Sequence, residues 1–155
     1  MEIIKTKSLS HIQFNQINRL WNQEYPVRLK GRFETLLKGV SNYNHYIIED
    51  GCSNVLAWAA DFEKDNEVRF SIIVDSKQQG KGVGTFLINR LKEDLSEFYG
   101  WVVDCDDDKK ANGQDYKSPL LFYVKNGFDI LHDQRIDNEL LNAVKIRRTK
   151  SFVNR

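Results

Sequence analysis

The stretch Val74-Asp75-Ser76-Lys77-Gln78-Gln79-Gly80-Lys81-Gly82-Val83-Gly84-Thr85 decides how the rest of the chain is read. Ahead of it, Glu67-Val68-Arg69-Phe70-Ser71-Ile72-Ile73-Val74 has the composition of a strand. Behind it, Val83, Phe86, Leu87, Leu91, Leu95 and Phe98 recur at helical spacing, with Arg90, Lys92, Glu93, Asp94 and Glu97 on the opposite face. The glycines at 80, 82 and 84 therefore join the end of a strand to the start of a helix. Alternate glycines remove side chains where the backbone must come close to a ligand, and their amides extend the free N–H groups of a first helical turn into an anion cradle. The helix dipole contributes about half a positive charge at that point, and Lys81 adds a full one. A phosphate or pyrophosphate is the ligand such a loop holds.

Working outward, Tyr46–Glu49 and Val55–Ala60 flank the turn pair Asp50-Gly51, and Lys64-Asp65-Asn66 turns the chain again into residues 67–74. Three consecutive antiparallel strands follow from this. Toward the N-terminus, residues 2–7 read as a strand. Residues 10–24 read as a helix with Ser8 or Ser10 as its N-cap and Pro26 as its stop, and residues 32–38 as a second helix capped by Gly39. Toward the C-terminus the long helix is expected to run through Phe98 and close at Gly100. Strand 101–104, a polar loop 106–117, a short helix from Pro119 to Lys125, and strands 128–131 and 143–148 complete the chain. The order β-α-α-β-β-β-α-β-α-β-β predicts an α+β sandwich. Its mixed, mostly antiparallel sheet has about six to seven strands, with helices on both faces.

Composition narrows the function classes. The 155 residues suit one domain spanning 1–155, and 23 Lys+Arg against 22 Asp+Glu give a net charge of +1, which provides no global field for nucleic acid or an anionic membrane. No apolar run approaches the length of about 20 residues that a membrane span requires, and residues 1–7 lack the apolar core of a signal peptide. Cys52 and Cys105 make no disulfide framework, so reduced thiols in the cytoplasm are expected. His11, His45 and His132 are far apart and none stands at zinc-ligand spacing, so no metal is expected.

Other phosphate motifs fit the loop less well. A Walker A loop requires Ser or Thr after the lysine, where Gly82 stands, and glycine where Asp75 stands. A dinucleotide fingerprint would put its third glycine at Thr85. Asp104, about 20 residues on, suits a ribose contact, but there is one such unit and an antiparallel meander precedes it. The bland alternative is a tight strand-to-helix turn, for which three glycines and a lysine are excessive.

Gln79-Gly80-Lys81-Gly82-Val83-Gly84 has the form Q-x-x-G-x-G and resembles the acetyl-CoA loop of the GNAT superfamily of N-acetyltransferases. Leu121-Phe122-Tyr123-Val124-Lys125-Asn126-Gly127-Phe128 is similar to the family's aromatic-Tyr-x-x-x-Gly-Phe segment, about forty residues downstream. The resemblance implies acetyl transfer from acetyl-CoA to an amine in a ternary complex, by a monomer or homodimer. A non-catalytic acyl-CoA-binding module is the alternative. It implies that the amides of Gln79, Gly80, Lys81, Gly82, Val83, Gly84 and Thr85 hold the pyrophosphate, and that main-chain groups of Ile72 and Val74 pair with the pantetheine arm. An N–H in this stretch would polarise the thioester carbonyl, and Tyr123 would face the thioester sulfur. The family often carries Asn where Tyr116 stands and Ala where Pro119 stands; Ser118 is the replacement expected to contact the cofactor.

Chemistry supports a tyrosine there. The leaving thiolate has a conjugate acid of pKa about 8.5, and a phenol of pKa about 10 stays protonated to donate to it. The acceptor amine must lose a proton, and Glu67 is the first candidate base, with Asp104 and Asp61 as alternatives. Cys105, among Asp104, Asp106, Asp107 and Asp108, is a poor nucleophile because these charges oppose a thiolate. The acidic run at 104–108 suits a cationic acceptor, and Arg28 or Arg32 is a candidate for holding a carboxylate. Lys145, Arg147, Arg148, Lys150 and Arg155 read as an exposed edge strand and tail.

Overall fold

In the computed structural model, residues 1–150 are described. The elements are β1 (Ile4–Thr6), α1 (His11–Glu24), α2 (Phe33–Lys38), β2 (Ser41–Glu49), β3 (Val55–Lys64), β4 (Glu67–Val74), α3 (Val83–Asp94), β5 (Glu97–Val103), α4 (Leu120–Lys125), β6 (Asp129–Asp137) and β7 (Asn142–Thr149). The strands form one seven-stranded sheet in the order β1-β2-β3-β4-β5-β7-β6. Every neighbouring pair is antiparallel except β4 and β5, which are parallel and meet only at Arg69 and Tyr99. The expected mixed sheet with helices on both faces is observed.

Alternation along the central strands makes the two faces. Tyr46, Ile48, Ala57, Ala59, Phe70 and Ile72 pack with Val83, Leu87 and Leu91 of α3 and with Tyr123 of α4. Their neighbours Ile47, Trp58, Ala60 and Ile73 point the other way, onto Ile17, Leu20 and Trp21 of α1 and Phe33 of α2. Alanines at 57, 59 and 60 let helices approach the sheet on both sides, and all three are fully buried. α1 begins at Ser10 with a capping box closed by Gln13. The β3–β4 hairpin turns on Asp65 and Asn66, both with positive φ, the backbone of a type I′ turn that matches strand twist.

Three expectations are corrected. The long helix stops at Asp94, and Phe98 belongs to β5. The apolar stripe misleads because Phe98 faces the same core from a strand. Gly100 is not a cap: it lies in mid-strand, and a Cβ there would sit 2.5 Å from the Phe70 ring. The basic C-terminal strand is not an edge, because β7 runs between β5 and β6. Lys145 on it is buried, paired with Glu67 at 2.7 Å and 4.7 Å above the Tyr99 ring. Arg155 lies outside the described residues. β2, β3 and the β6–β7 hairpin are also longer than read, since their exposed halves are polar.

Candidate active site

The site begins where β4 and β5 part. Asp75 N–H donates to Leu56 O at 3.0 Å, which fixes the alternation along β4: residues 71, 73 and 75 bond toward β3. Ile72 and Val74 therefore turn their main-chain groups into the gap beside β5. A strand edge left open inside a sheet is a place for an extended ligand to add.

At the end of that edge lies the glycine loop. Gly80 and Gly82 have φ of 80° and 79°, in the left-handed region where a side chain is strained. Gly82 is the N-cap of α3, and the first N–H to reach a helical carbonyl is that of Phe86, to Gly82 O at 3.0 Å. Among the described residues the N–H groups of 80–85 have no main-chain acceptor. They form a row of donors at a helix N-terminus, with Lys81 exposed beside them. Gly84 has a different reason to be glycine: a Cβ would meet the Phe122 ring of α4 at 3.1 Å. The two sequence motifs therefore touch.

Phe122 and the next residue, Tyr123, belong to α4, which packs against α3 and β4. The Tyr123 ring is fixed edge-on to Phe70, Phe122 and Phe128, at centroid distances of 5.7, 5.2 and 5.4 Å. Burial raises its phenol well above the ordinary tyrosine value, and the nearby hydroxyls of Tyr25 and Tyr116 oppose ionisation further. Tyr25 is the C-cap of α1 and reaches the gap itself. Its hydroxyl donates to Ile72 O at 2.9 Å, so the Ser71 hydroxyl, 3.1 Å away, is the donor to Tyr25. Three tyrosines from separate elements thus gather at the mouth of the gap. Of the three, Tyr123 was the expected one; Tyr25 heads the segment that carries Arg28 and Arg32, and Tyr116 stood where Asn was expected.

The fold as a whole has counterparts among solved structures. No family model matches the sequence, and no curated protein matches it significantly. Among solved structures, an aminoglycoside 6'-N-acetyltransferase complexed with coenzyme A aligns at TM-score 0.67 and 13% identity, over 96% of this chain and 97% of that one. A GNAT superfamily phosphinothricin acetyltransferase from Sinorhizobium meliloti, in complex with acetyl-CoA, aligns at TM-score 0.59 and 13% identity, over 96% and 88%. A spermidine N-acetyltransferase variant from Vibrio cholerae aligns at TM-score 0.58 and 17% identity, over 95% and 94%. The fold is that of the GNAT N-acetyltransferases. In this fold the glycine loop meets α4 at Gly84 and Phe122, and Tyr123 packs on Phe70 of β4.

Other candidate residues have different employment. Glu67 begins β4, before the Arg69 pairing and away from the gap, and is held by Lys145 at 2.7 Å and Arg69 at 3.0 Å. Burial alone would raise its carboxyl, but the two cations outweigh it and hold the value below the ordinary one, which weakens it as a base. Asp61 is buried, accepting from Tyr46 O–H at 2.6 Å and Asn44 at 2.9 Å, close to Asp94 at the far end of α3 from the loop. Asp104 is gripped by Arg135. The Ser118 hydroxyl donates to Val103 O at 2.5 Å and accepts from Leu120 N–H at 3.2 Å, tying β5 to the start of α4.

A second surface beside the gap is built from the long loop that follows β5. Residues 104–117 fold back across the end of α1: Val27 N–H donates to Lys109 O at 2.7 Å, and Tyr116 N–H to Asp108 O at 2.9 Å. Glu24, only 5% exposed, joins three segments here. It accepts from Ser76 N–H of the glycine loop at 2.9 Å and from Lys110 Nζ of the long loop at 3.0 Å. Burial raises its carboxyl, but these donors and Gln23 outweigh that and leave it lowered. A cavity of about 640 Å³ opens between Arg28, residues 104–109 and the β6–β7 hairpin. Arg28 clamps Asp108 with two bonds, at 2.7 and 2.9 Å.

Proposed function

We propose that this chain transfers an acetyl group from acetyl-CoA to a primary amine, by direct attack in a ternary complex. The observation that carries the reading is the conjunction of a row of open N–H donors at residues 80–85, a β4 edge that no strand pairs beyond Arg69 and whose Ile72 and Val74 carbonyls accept from the side chains of Tyr25 and Gln79, and a protonated tyrosine packed on Phe70 of that strand. Gln79 to Thr85 would hold the pyrophosphate, with Lys81 adding charge. Ile72 and Val74 would pair with the pantetheine arm as an added strand. An N–H of this edge would stabilise the oxyanion of the tetrahedral intermediate.

In the forward reaction the amine nitrogen attacks the thioester carbon and the C–S bond breaks. Tyr123 gives its hydroxyl proton to the departing sulfur and takes one back from the nitrogen that has become the amide. Burial makes a lasting tyrosinate costly, so the two transfers must be closely matched in time. No role as base is assigned to Glu67, whose ion pairs keep its carboxylate occupied. Tyr25, donating to Ile72 O, would orient the edge that receives the cofactor.

The test is Tyr123→Phe. Acetyl-CoA binding by calorimetry should persist while release of CoA thiol in the presence of amines falls at least about a hundredfold. Equal turnover by the variant would remove Tyr123 from the mechanism. A wild-type protein that binds acetyl-CoA but releases no CoA with any amine would favour a non-catalytic binding module.

A further inference from the structure

Arg28 is fully engaged. Its Nε and one terminal nitrogen lie on Asp108, that nitrogen also on Asn142 Oδ1 at 3.0 Å, and the other on the carbonyls of Asn138 and Glu139 at 3.4 and 3.2 Å. It therefore holds no substrate carboxylate, which corrects the expectation placed on it. The β4 edge is engaged in the same sense. Ile72 O accepts from the Tyr25 hydroxyl at 2.9 Å, and Val74 O from Gln79 Nε2 at 3.3 Å. An extended ligand that adds to this edge must bring its own N–H groups to those carbonyls. The Tyr25 bond is the shorter and the less exposed of the two, so it is the one that opposes the ligand more.

Tyr25 has a second partner to turn to. Its ring stands edge-on to Trp21, at a centroid distance of 4.6 Å. Its hydroxyl lies 3.1 Å from the Ser71 hydroxyl, and either oxygen can be the donor of that bond. Ser71 meets it on the α1 side of the sheet, since its neighbours Phe70 and Ile72 pack on the α3 side. While Tyr25 donates to Ile72 O, Ser71 donates to Tyr25. When both O–H groups rotate about their C–O bonds, Tyr25 donates to Ser71 Oγ instead and Ile72 O is released. No proton is transferred and the rings stay in place.

Resting on the acetyl-CoA reading above, we propose that Tyr25 and Ser71 form a hydroxyl switch that gates the β4 edge. In one sense of the hydrogen-bond chain the edge is closed at Ile72; in the other it is open to a ligand N–H. The amides of a pantetheine arm supply such an N–H, whereas a ligand with phosphates alone occupies the glycine loop without turning the switch. Ser71 is a positioning residue that acts through Tyr25.

Calorimetry with acetyl-CoA on the wild type, Tyr25→Phe, Ser71→Ala and the double variant tests this. ADP, which carries a pyrophosphate and no amide arm, is the second ligand. Tyr25→Phe removes the donor that competes for Ile72 O, so the affinity for acetyl-CoA should rise about fivefold. Ser71→Ala leaves the Tyr25 hydroxyl without a partner once Ile72 O is taken, so the affinity should fall about threefold. The double variant should bind like Tyr25→Phe, and ADP should distinguish the four proteins by less than about twofold. An affinity that is unchanged or lower in Tyr25→Phe would mean that Ile72 O accepts both donors, and would overturn the switch while leaving acetyl transfer standing. Changes of the same sign in the two single variants, or an ADP affinity that follows that of acetyl-CoA, would do the same. Failure of all four proteins to bind acetyl-CoA would overturn both.

Discussion

The two sides of the gap between β4 and β5 are built on opposite principles. The side proposed to hold the cofactor is main chain: amides of residues 80–85 and the edge of β4 beyond Arg69, all within one short stretch of sequence. The side proposed to meet the acceptor is side chain: Arg28 meets Asp108 across 80 positions and Asn142 across 114. A backbone site recognises what never changes, such as a pyrophosphate, and tolerates substitution at every position where glycine is not required. A site of interlocked ion pairs is set by a few side chains and can be retuned one residue at a time. The difference teaches where specificity resides in this chain.

The largest expected effect lies at the junction of the two sides. Tyr123→Phe should lower kcat by about a hundredfold or more while leaving the KM for acetyl-CoA within about twofold. A KM change as large as the kcat change would make Tyr123 part of the cofactor side. Next is Arg28→Ala, which strands the nearly buried carboxylate of Asp108. It should destabilise by about 3 kcal/mol in urea unfolding and raise the KM for the amine more than that for acetyl-CoA. Equal rises in the two KM values would break the division.

Gly82→Ala forces a Cβ onto a left-handed backbone at an open point, so strain of about 1 kcal/mol is expected without a clash. The affinity for acetyl-CoA should fall several-fold with the acceptor KM unchanged, as judged by calorimetry and steady-state rates. The smallest effect concerns Glu24. Its carboxyl is lowered in the folded protein, so its contribution is complete above the unfolded value of about 4.5 and is lost as pH falls through the folded value. Thermal melts of the wild type should therefore show Tm falling with acid more steeply than those of Glu24→Gln. Parallel curves would show that the carboxylate does not hold the junction through its charge.

The same division explains what was legible. The glycine loop was readable because left-handed backbone and close approach are local demands that leave glycine in the sequence. Tyr123 was readable only as part of a second local segment. The reach of Tyr25 to Ile72 depends on Pro26 ending α1 at the right height above the sheet, which spacing does not reveal. The end of α3 was misplaced because Phe98, Gly100 and Val102 continue an apolar face after the helix has become a strand. The partners of Arg28 were invisible because an isolated basic residue in a loop looks alike whether it awaits a ligand or is already satisfied. The edge strand β6 was underread because its middle, His132-Asp133-Gln134, is exposed and polar, as an unpaired edge should be.

Glu24 couples the two sides. One carboxylate receives a donor from Ser76 of the glycine loop and another from Lys110 of the long loop, so ordering either loop stiffens the anchor of the other. By thermodynamic reciprocity, whatever factor acetyl-CoA adds to the affinity for the amine, the amine must return to acetyl-CoA. A single buried acid would thus make each ligand, bound as proposed, tighten the loop that serves the other.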